Sequence, residues 1–485
     1  MATTVKENRL SFNTLFLTVA YTLQKVISFG YFIYYARFIG YVGTGKFTFA
    51  VSFATVFGIL VDLGLSPVLI REVARVKEKA EDYLSAVFTI KIFFAFIALL
   101  AIFIGINLLD YPSETKNLVY FAALVMIFES FTLSLYGVFR GLQNLKYEAI
   151  GTVIYQFLVL LSGVIGFQIT HQTIVLGLAI VIGAMGNFSY ALINILRKTD
   201  ARPRFKLNFE VMRSLLKMAM PFFLAGIFTK IYAYIDILLL SFLKKADNGD
   251  QYVGWYSVAY KLTYAIQFIP IAINNSVYPA LSSLYVKSKE LMAMTIENAF
   301  RYLIIISIPI SLGAFVYADK ITILLTKQYA NAIPAFRISI LGLIFIFLNF
   351  ILGSVLNACN KQIQYTINLG LTVVVNIVAN LILIPRFNHV GASIAAFLSA
   401  FFLFIISYYR ANRLVKLNKI KILKWFIKAL AASLIMIFVT YFFKSYVRFY
   451  YLAPLGAILY VIFLFIVGGI KRADIIEFSR SLRKK

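Results

Sequence analysis

The feature that most constrains this chain is a succession of uninterrupted apolar runs, each long enough to cross a bilayer. The hydrocarbon core of a membrane is about 30 Å thick, which takes roughly 20 helical residues. Backbone N–H and C=O groups in lipid must be bonded within the segment, so each run reads as a helix. The runs are continuous rather than alternating, which argues against a membrane β-barrel. Length and loop signals predict about fourteen spans. They lie near 11–38, 46–69, 85–109, 117–139, 148–169, 173–196, 216–242, 253–280, 296–318, 333–357, 364–384, 390–410, 422–443 and 451–469. The expected fold class is therefore all-α integral membrane.

Composition agrees: 61% of the 485 residues are hydrophobic and 14% are charged, against about 25% charged in soluble domains. The formal net charge of +27 does not point to nucleic acid, because the cations sit in short loops between apolar runs rather than on a soluble basic face. The single cysteine, Cys359, allows no intramolecular disulfide. The two histidines, His171 and His389, are far apart with no further ligands beside them, so no metal site is expected. The first apolar run, from Ser11, is too long for a cleavable signal and is expected to be kept as the first span.

Lysine and arginine set the orientation. Arg71, Arg75, Lys77, Lys79, Arg140, Lys146 and Arg197 fall on one side. So do the stretches Arg202–Lys217, Lys287–Lys289 and Arg410–Lys428, both termini (Lys6, Arg9; Lys471–Lys485) and Lys361. This side carries about three times the cations of the other, which has Arg37, Lys46, Lys116, Lys244, Lys245, Lys320, Lys327, Arg386, Lys444 and Arg448. Both termini are expected to be cytoplasmic, in a multi-pass protein of the cell membrane.

The longest polar connections, Arg197–Lys217 and Arg410–Lys421, divide the chain into residues 1–200, 201–412 and 413–485. These are two six-span lobes and a final span pair with a basic tail. The two lobes echo each other. Lys25 lies mid-span, with Gly45-Lys-Phe about twenty residues on, and Lys230 lies mid-span, with Gly254-Trp-Tyr following. Gly141-Leu-Gln-Asn-Leu-Lys146 is matched by Ala358-Cys-Asn-Lys361. Repeated halves are common in transporters, with the substrate site between them at the bilayer midplane.

Charges at bilayer depth carry the chemistry. Each costs roughly 2.5–3.5 kcal/mol at a helix centre, so it tends to face a cavity or a partner. Lys25, Lys230 and Lys261 lie far from an interface, and a wet chamber receiving an anion would relieve them. Lys91, Arg301 and Arg337 lie nearer span ends and are expected to snorkel, with stem in lipid and charge at the interface. The acids at depth are Asp62, Glu129 and Asp236. Asp62 and Glu129 are candidate charge partners of the cavity lysines; the open structural readings are that Asp62 hydrogen-bonds a helix end and that Glu129 is protonated or bonded within the first lobe. Asp236 follows Lys230 by six residues, about 240° around the helix, so the two cannot share a face. In span 11, Gln364, Asn368, Thr372, Asn376 and Asn380 recur every four residues on one stripe. Interhelical hydrogen bonding and a hydrophilic wall or cation site are both open readings. No catalytic or nucleotide-binding motif is present, so neither an enzyme nor ATP-driven transport within this chain is expected.

Several motifs resemble a known family. Ala36-Arg37-Phe-Ile-Gly40 with Gly45-Lys-Phe, then Asp62-Leu-Gly64 and Arg71-Glu72, resembles the opening of O-antigen and polysaccharide flippases. Asn380-Leu-Ile-Leu-Ile-Pro385 with Gly391-Ala392 and Ala395-Ala396 resembles their span 11–12 hairpin. These proteins belong to the multidrug/oligosaccharidyl-lipid/polysaccharide exporter superfamily. The resemblance implies two six-helix lobes around a central cavity, and flipping of a polyprenyl-pyrophosphate-linked glycan by alternating access. It implies cavity cations, matched by Lys25, Lys230 and Lys261. It also implies a coupling-cation site, matched by Asp236, Asn376 and Asn380, with Na+ or H+ as the coupling ion and no cofactor. Membrane lipids and other polysaccharide-assembly proteins are the expected partners. The rival readings are a cation-coupled multidrug exporter of the same fold and, from another class, a membrane-embedded glycan polymerase or glycosyltransferase. A non-transporting assembly scaffold is a further rival, but it leaves the midplane lysines unexplained.

Overall fold

The computed structural model describes all residues except Met1, Lys206, Leu324, Ser445, Val447, Arg448 and 470–485, with side chains from Phe16 onward except Thr18. The cations expected at Lys6, Arg9, Lys206 and Arg448 and along Lys471–Lys485 lie outside the described side chains.

The described chain is helical. Its elements are α1 (Ala2–Asp62), α2 (Leu65–Arg75), α3 (Ala80–Leu108), α4 (Ser113–Gly141), α5 (Lys146–Thr170), α6 (Ile174–Lys198), α7 (Phe209–Leu243) and α8 (Gly249–Tyr264). They continue with α9 (Phe268–Lys287), α10 (Lys289–Val316), α11 (Ala318–Ile323), α12 (Ile333–Ala358), α13 (Gln362–Leu414), α14 (Lys419–Phe443) and α15 (Phe449–Ile466).

Among the described residues, 11 helical stretches are long and apolar enough to cross a membrane. Two of them hold two spans each. The 53 residues of α13 would extend about 80 Å as a straight helix, far beyond one bilayer. The chain turns instead at Asn388, whose φ of 51° and ψ of −132° break the helix. In α1 the same role falls to Gly40, with φ 70° and ψ −176°. Both breaks lie between the spans read from hydropathy. The broken pair α8–α9 stands where span 8 is expected, and the count near fourteen holds.

Two breaks fall inside expected spans. Span 46–69 is interrupted at Leu63 and Gly64, with φ of 49° and 72°. Span 253–280 is interrupted between Tyr264 and Phe268. At Gly64 only glycine fits, because a Cβ there would lie 2.6 Å from Phe223 N and 2.8 Å from Ala219 O of α7.

The chain forms two compact units, Met1–Ser257 and Val258–Lys485. In the first, α1 packs on α3, α4, α5 and α7, α6 packs on α4 and α5, and α2 bridges α4 and α7. Its core holds Leu69, Leu84, Val87, Leu135, Phe139 and Ala219. In the second, α12 packs on α9, α10 and α13, and α14 joins α10 to α15. Phe300, Leu303, Phe336, Leu343 and Phe347 form its core. Outward faces are apolar as well: Phe93, Phe96, Leu100 and Phe103 of α3 are exposed, Phe96 by 69%. That is the distribution expected where the solvent is lipid.

Candidate functional site

In the first unit, α4, α5 and α7 bring Glu129, Tyr155, Lys230 and Tyr234 into one polar cluster beside α1. α1 is the common neighbour of α4, α5 and α7, so side chains from these helices converge beside it. Lys230 of α7 is half-buried, and its ammonium lies 5.8 Å from the ring of Tyr234, one turn on. Glu129 of α4 is near enough for its charge to act on Lys230. The Glu129 side chain is exposed rather than packed into the core. Tyr155 of α5 and Tyr234 both lie within electrostatic reach of Glu129. Tyr31 of α1 stands beside Tyr155, and its buried hydroxyl has no partner among the described residues. The cluster thus offers an amine, a carboxyl group and several phenols, a set suited to a charged, hydroxyl-bearing headgroup. Sequence reading missed the tyrosines. The one available signal was Tyr234, which follows Lys230 by one helical turn.

Lys25 of α1 is exposed, as is Lys261, which lies in the second unit. Asp62 does not turn to either lysine. Its Oδ1 accepts from Lys91 Nζ at 2.8 Å and also from Ser66. Lys91 further donates to Ser130 O at 2.8 Å and to Ser66 Oγ at 3.3 Å, and is completely buried. This corrects the expectation that Lys91 snorkels. α3 begins at Ala80 rather than near residue 85, so Lys91 sits about three turns deep, where a partner is needed. Arg301 donates to Gly469 O at 2.9 Å and lies over Trp425, while Arg337 lies over the ring of Phe315.

At the far end of α4, Arg140 Nε donates to Glu148 Oε2 at 2.6 Å, and Tyr21 also donates to Glu148. This partly buried network ties α1, α4 and α5. The echoed glycines meet each other in the first unit. A Cβ on Gly45 would lie 1.8 Å from Asp250 O, and one on Gly254 would lie 1.9 Å from Tyr41 O. Small residues permit this backbone approach.

Asp236, in the first unit, is buried and accepts from Tyr256 OH at 2.8 Å. In the second unit, Asn368, Thr372, Asn376 and Asn380 are all fully buried. Asn380 Nδ2 donates to Asn376 O at 2.9 Å and to Asn376 Oδ1 at 3.0 Å, and Asn368 Nδ2 donates to Ser407 Oγ at 3.1 Å. The stripe is therefore an interior hydrogen-bonded seam within α13 in this conformation. Gln364 stands at its half-buried end.

The family model described as "Polysaccharide biosynthesis protein" matches residues 10–285, more than half of the chain. The chain belongs to the polysaccharide biosynthesis protein family. The MatE model matches residues 221–382 of this family member. The protein is 23% identical over 377 residues to the capsular polysaccharide biosynthesis protein CapF of Staphylococcus aureus, covering 76% of this chain and 91% of that one. It is 32% identical over 198 residues to a putative O-antigen transporter of Shigella dysenteriae, covering 40% of this chain and 47% of the transporter. The matched stretch thus spans about half the length of that second relative. Among solved structures, the lipid II flippase MurJ in an inward closed conformation superposes with a TM-score of 0.76 at 16% identity, over 96% of this chain and 99% of that one. The family resemblance read from Ala36–Arg71 and Asn380–Ala396 and the all-α fold expected from hydropathy are the ones found. The protein is a multi-pass membrane protein of the multidrug/oligosaccharidyl-lipid/polysaccharide superfamily.

Proposed function

We propose that this protein is a flippase that carries a polyprenyl-pyrophosphate-linked oligosaccharide from the cytoplasmic to the outer leaflet for cell-surface polysaccharide assembly. Family membership and the transporter and flippase names of its relatives support the class. The observation that carries the reading is Lys230, a cation at bilayer depth clustered with Glu129 and Tyr234.

In this reading Lys25, Lys230 and Lys261 attract the pyrophosphate, while the phenols beside Lys230 accept the sugars. Glu129 is the resident neighbour of Lys230 and yields its electrostatic claim when the headgroup arrives. The polyprenyl tail stays in lipid. The lobes 1–200 and 201–412 rock to expose the headgroup outside, with 413–485 as the appended pair and both termini cytoplasmic. Asp236, Asn376 and Asn380 hold a coupling Na+, or Asp236 takes a proton. An inside-negative potential favours outward movement of the headgroup by about 2.3 kcal/mol per negative charge per 100 mV.

A second reading, a cation-coupled multidrug exporter, draws on the MatE match and on the carboxyl group of Glu129 in the cluster. Leaflet-resolved flipping of a lipid-linked oligosaccharide in proteoliposomes separates the two. The flippase reading predicts movement of the glycan lipid by the wild-type protein. Binding of a hydrophobic cation without glycan movement supports the exporter instead.

A further inference from the structure

In the second unit, the ends of α10, α14 and α15 and the short α11 line a partly open cavity of about 280 Å³, close to the low end of small-molecule sites. The cavity lies at the C-terminal end of α14. Lys419, Lys421, Lys424 and Lys428 lie toward the other end of that helix, which spans about 37 Å. Charge asymmetry predicts that this end of α14 faces outward.

Five polar side chains line it. Lys444 lies 3.3 Å over the ring of Tyr441. Asp319 and Lys320 pair loosely at 3.7 Å. The Tyr317 ring meets that of Phe449 at 5.7 Å, and its hydroxyl is shielded from solvent with no partner among the described residues. Lysines and tyrosines at a membrane boundary are ordinary interfacial anchors. Anchoring alone explains neither a concave site nor a carboxylate within it.

We propose that this cavity is a sugar-binding subsite on the outer face of the C-terminal unit. A pyranose ring presents hydroxyls that both donate and accept, together with an apolar C–H face. Asp319 accepts from such hydroxyls, Lys320 and Lys444 donate to them, and the Phe449 and Tyr317 rings pack on the C–H face. A bare phosphate would meet Asp319 as a like charge, so a sugar is the better fit. The subsite would hold a residue of the glycan as it leaves. This inference deepens the flippase reading and rests on it for the identity of the sugar's carrier.

The test uses the full-length protein in lipid nanodiscs and saturation-transfer NMR with free glucose, galactose, N-acetylglucosamine and glucuronate. We expect transfer to at least one of the four sugars. Asp319→Asn and Lys444→Gln should each weaken that transfer by at least about fivefold at unchanged Tm, a loss typical of one hydrogen bond. Tyr317→Phe, which keeps the ring, should weaken it less than either. Absence of transfer from all four sugars overturns the proposal, as does transfer indifferent to Asp319→Asn and Lys444→Gln. Displacement of the bound sugar by inorganic phosphate also overturns it, in favour of a phosphate site. Wild-type protein that flips a lipid-linked glycan but binds no sugar loses the subsite and keeps the flippase reading. Protein that binds sugar at Asp319 but flips nothing keeps the subsite and loses that reading.

Discussion

Lys91 Nζ lies 2.8 Å from Asp62 Oδ1, and the lysine is completely buried. The pair joins α3 to the end of α1, one residue before the left-handed break at Leu63 and Gly64. Ser66 and the Ser130 carbonyl complete the ammonium's hydrogen bonds. A charge at this depth is tolerable only when paired and fully bonded.

Breaking the pair should therefore cost far more than removing it whole. Asp62→Leu and Lys91→Met are each expected to destabilise the protein by about 3–5 kcal/mol, since each leaves its partner's charge stranded. The double variant Asp62→Leu, Lys91→Met should recover most of that loss. Thermal unfolding in detergent reads all three. Additive losses in the double variant would show that the two residues do not depend on each other.

The glycine seam makes a second prediction. Gly45→Ala and Gly254→Ala place a methyl 1.8 and 1.9 Å from a backbone oxygen, so the backbones must separate. Each should lower the Tm and slow flipping. Gly30→Ala is the control: nothing lies within 4 Å of its added methyl, and alanine should raise helix stability by up to about 1 kcal/mol. Equal behaviour of all three variants would contradict the close approach.

Glu129 is the charge neighbour of Lys230, so its neutralisation separates the two functional readings. Where the Glu129 carboxyl is ionised, Glu129→Gln removes an anion beside Lys230 and should tighten binding of inorganic pyrophosphate by roughly tenfold, about 1.4 kcal/mol. Isothermal titration on the protein in nanodiscs checks this. An exporter of organic cations would show the opposite signature, with weaker binding of a hydrophobic cation and no change for pyrophosphate.

Much of this fold is legible from hydropathy, because lipid demands the same two things of every span: length and internal backbone bonding. The turns at Gly40 and Asn388 fall where apolar runs are interrupted by polar or turn-forming residues, and so they were readable. The breaks at Leu63–Gly64 and Tyr264–Phe268 were not. Each occupies a few residues inside an apolar run, and hydropathy averaged over a span does not register a local backbone reversal. Gly64 sits where α7 approaches too closely for a side chain, which is a tertiary fact.

The site divides in the same way. Depth along a span singled out Lys25, Lys230, Glu129 and Asp62. Partners come from other helices and depend on packing. Asp62 meets Lys91 from 29 residues away, and Glu129 meets Lys230 from another helix. The strict four-residue spacing of Asn368, Thr372, Asn376 and Asn380 showed that they share a face. It could not show whether that face meets a cavity or the protein interior. The structure buries it.

The central claim is that cations within the membrane carry an anionic headgroup across it. Lys25→Gln together with Lys230→Gln tests this most directly, in proteoliposomes with a lipid-linked oligosaccharide and a leaflet-resolved readout. The variant protein must be shown folded by its unchanged Tm. The account predicts loss of flipping by at least about tenfold, the equivalent of 1.4 kcal/mol or more. Flipping at the wild-type rate would contradict it.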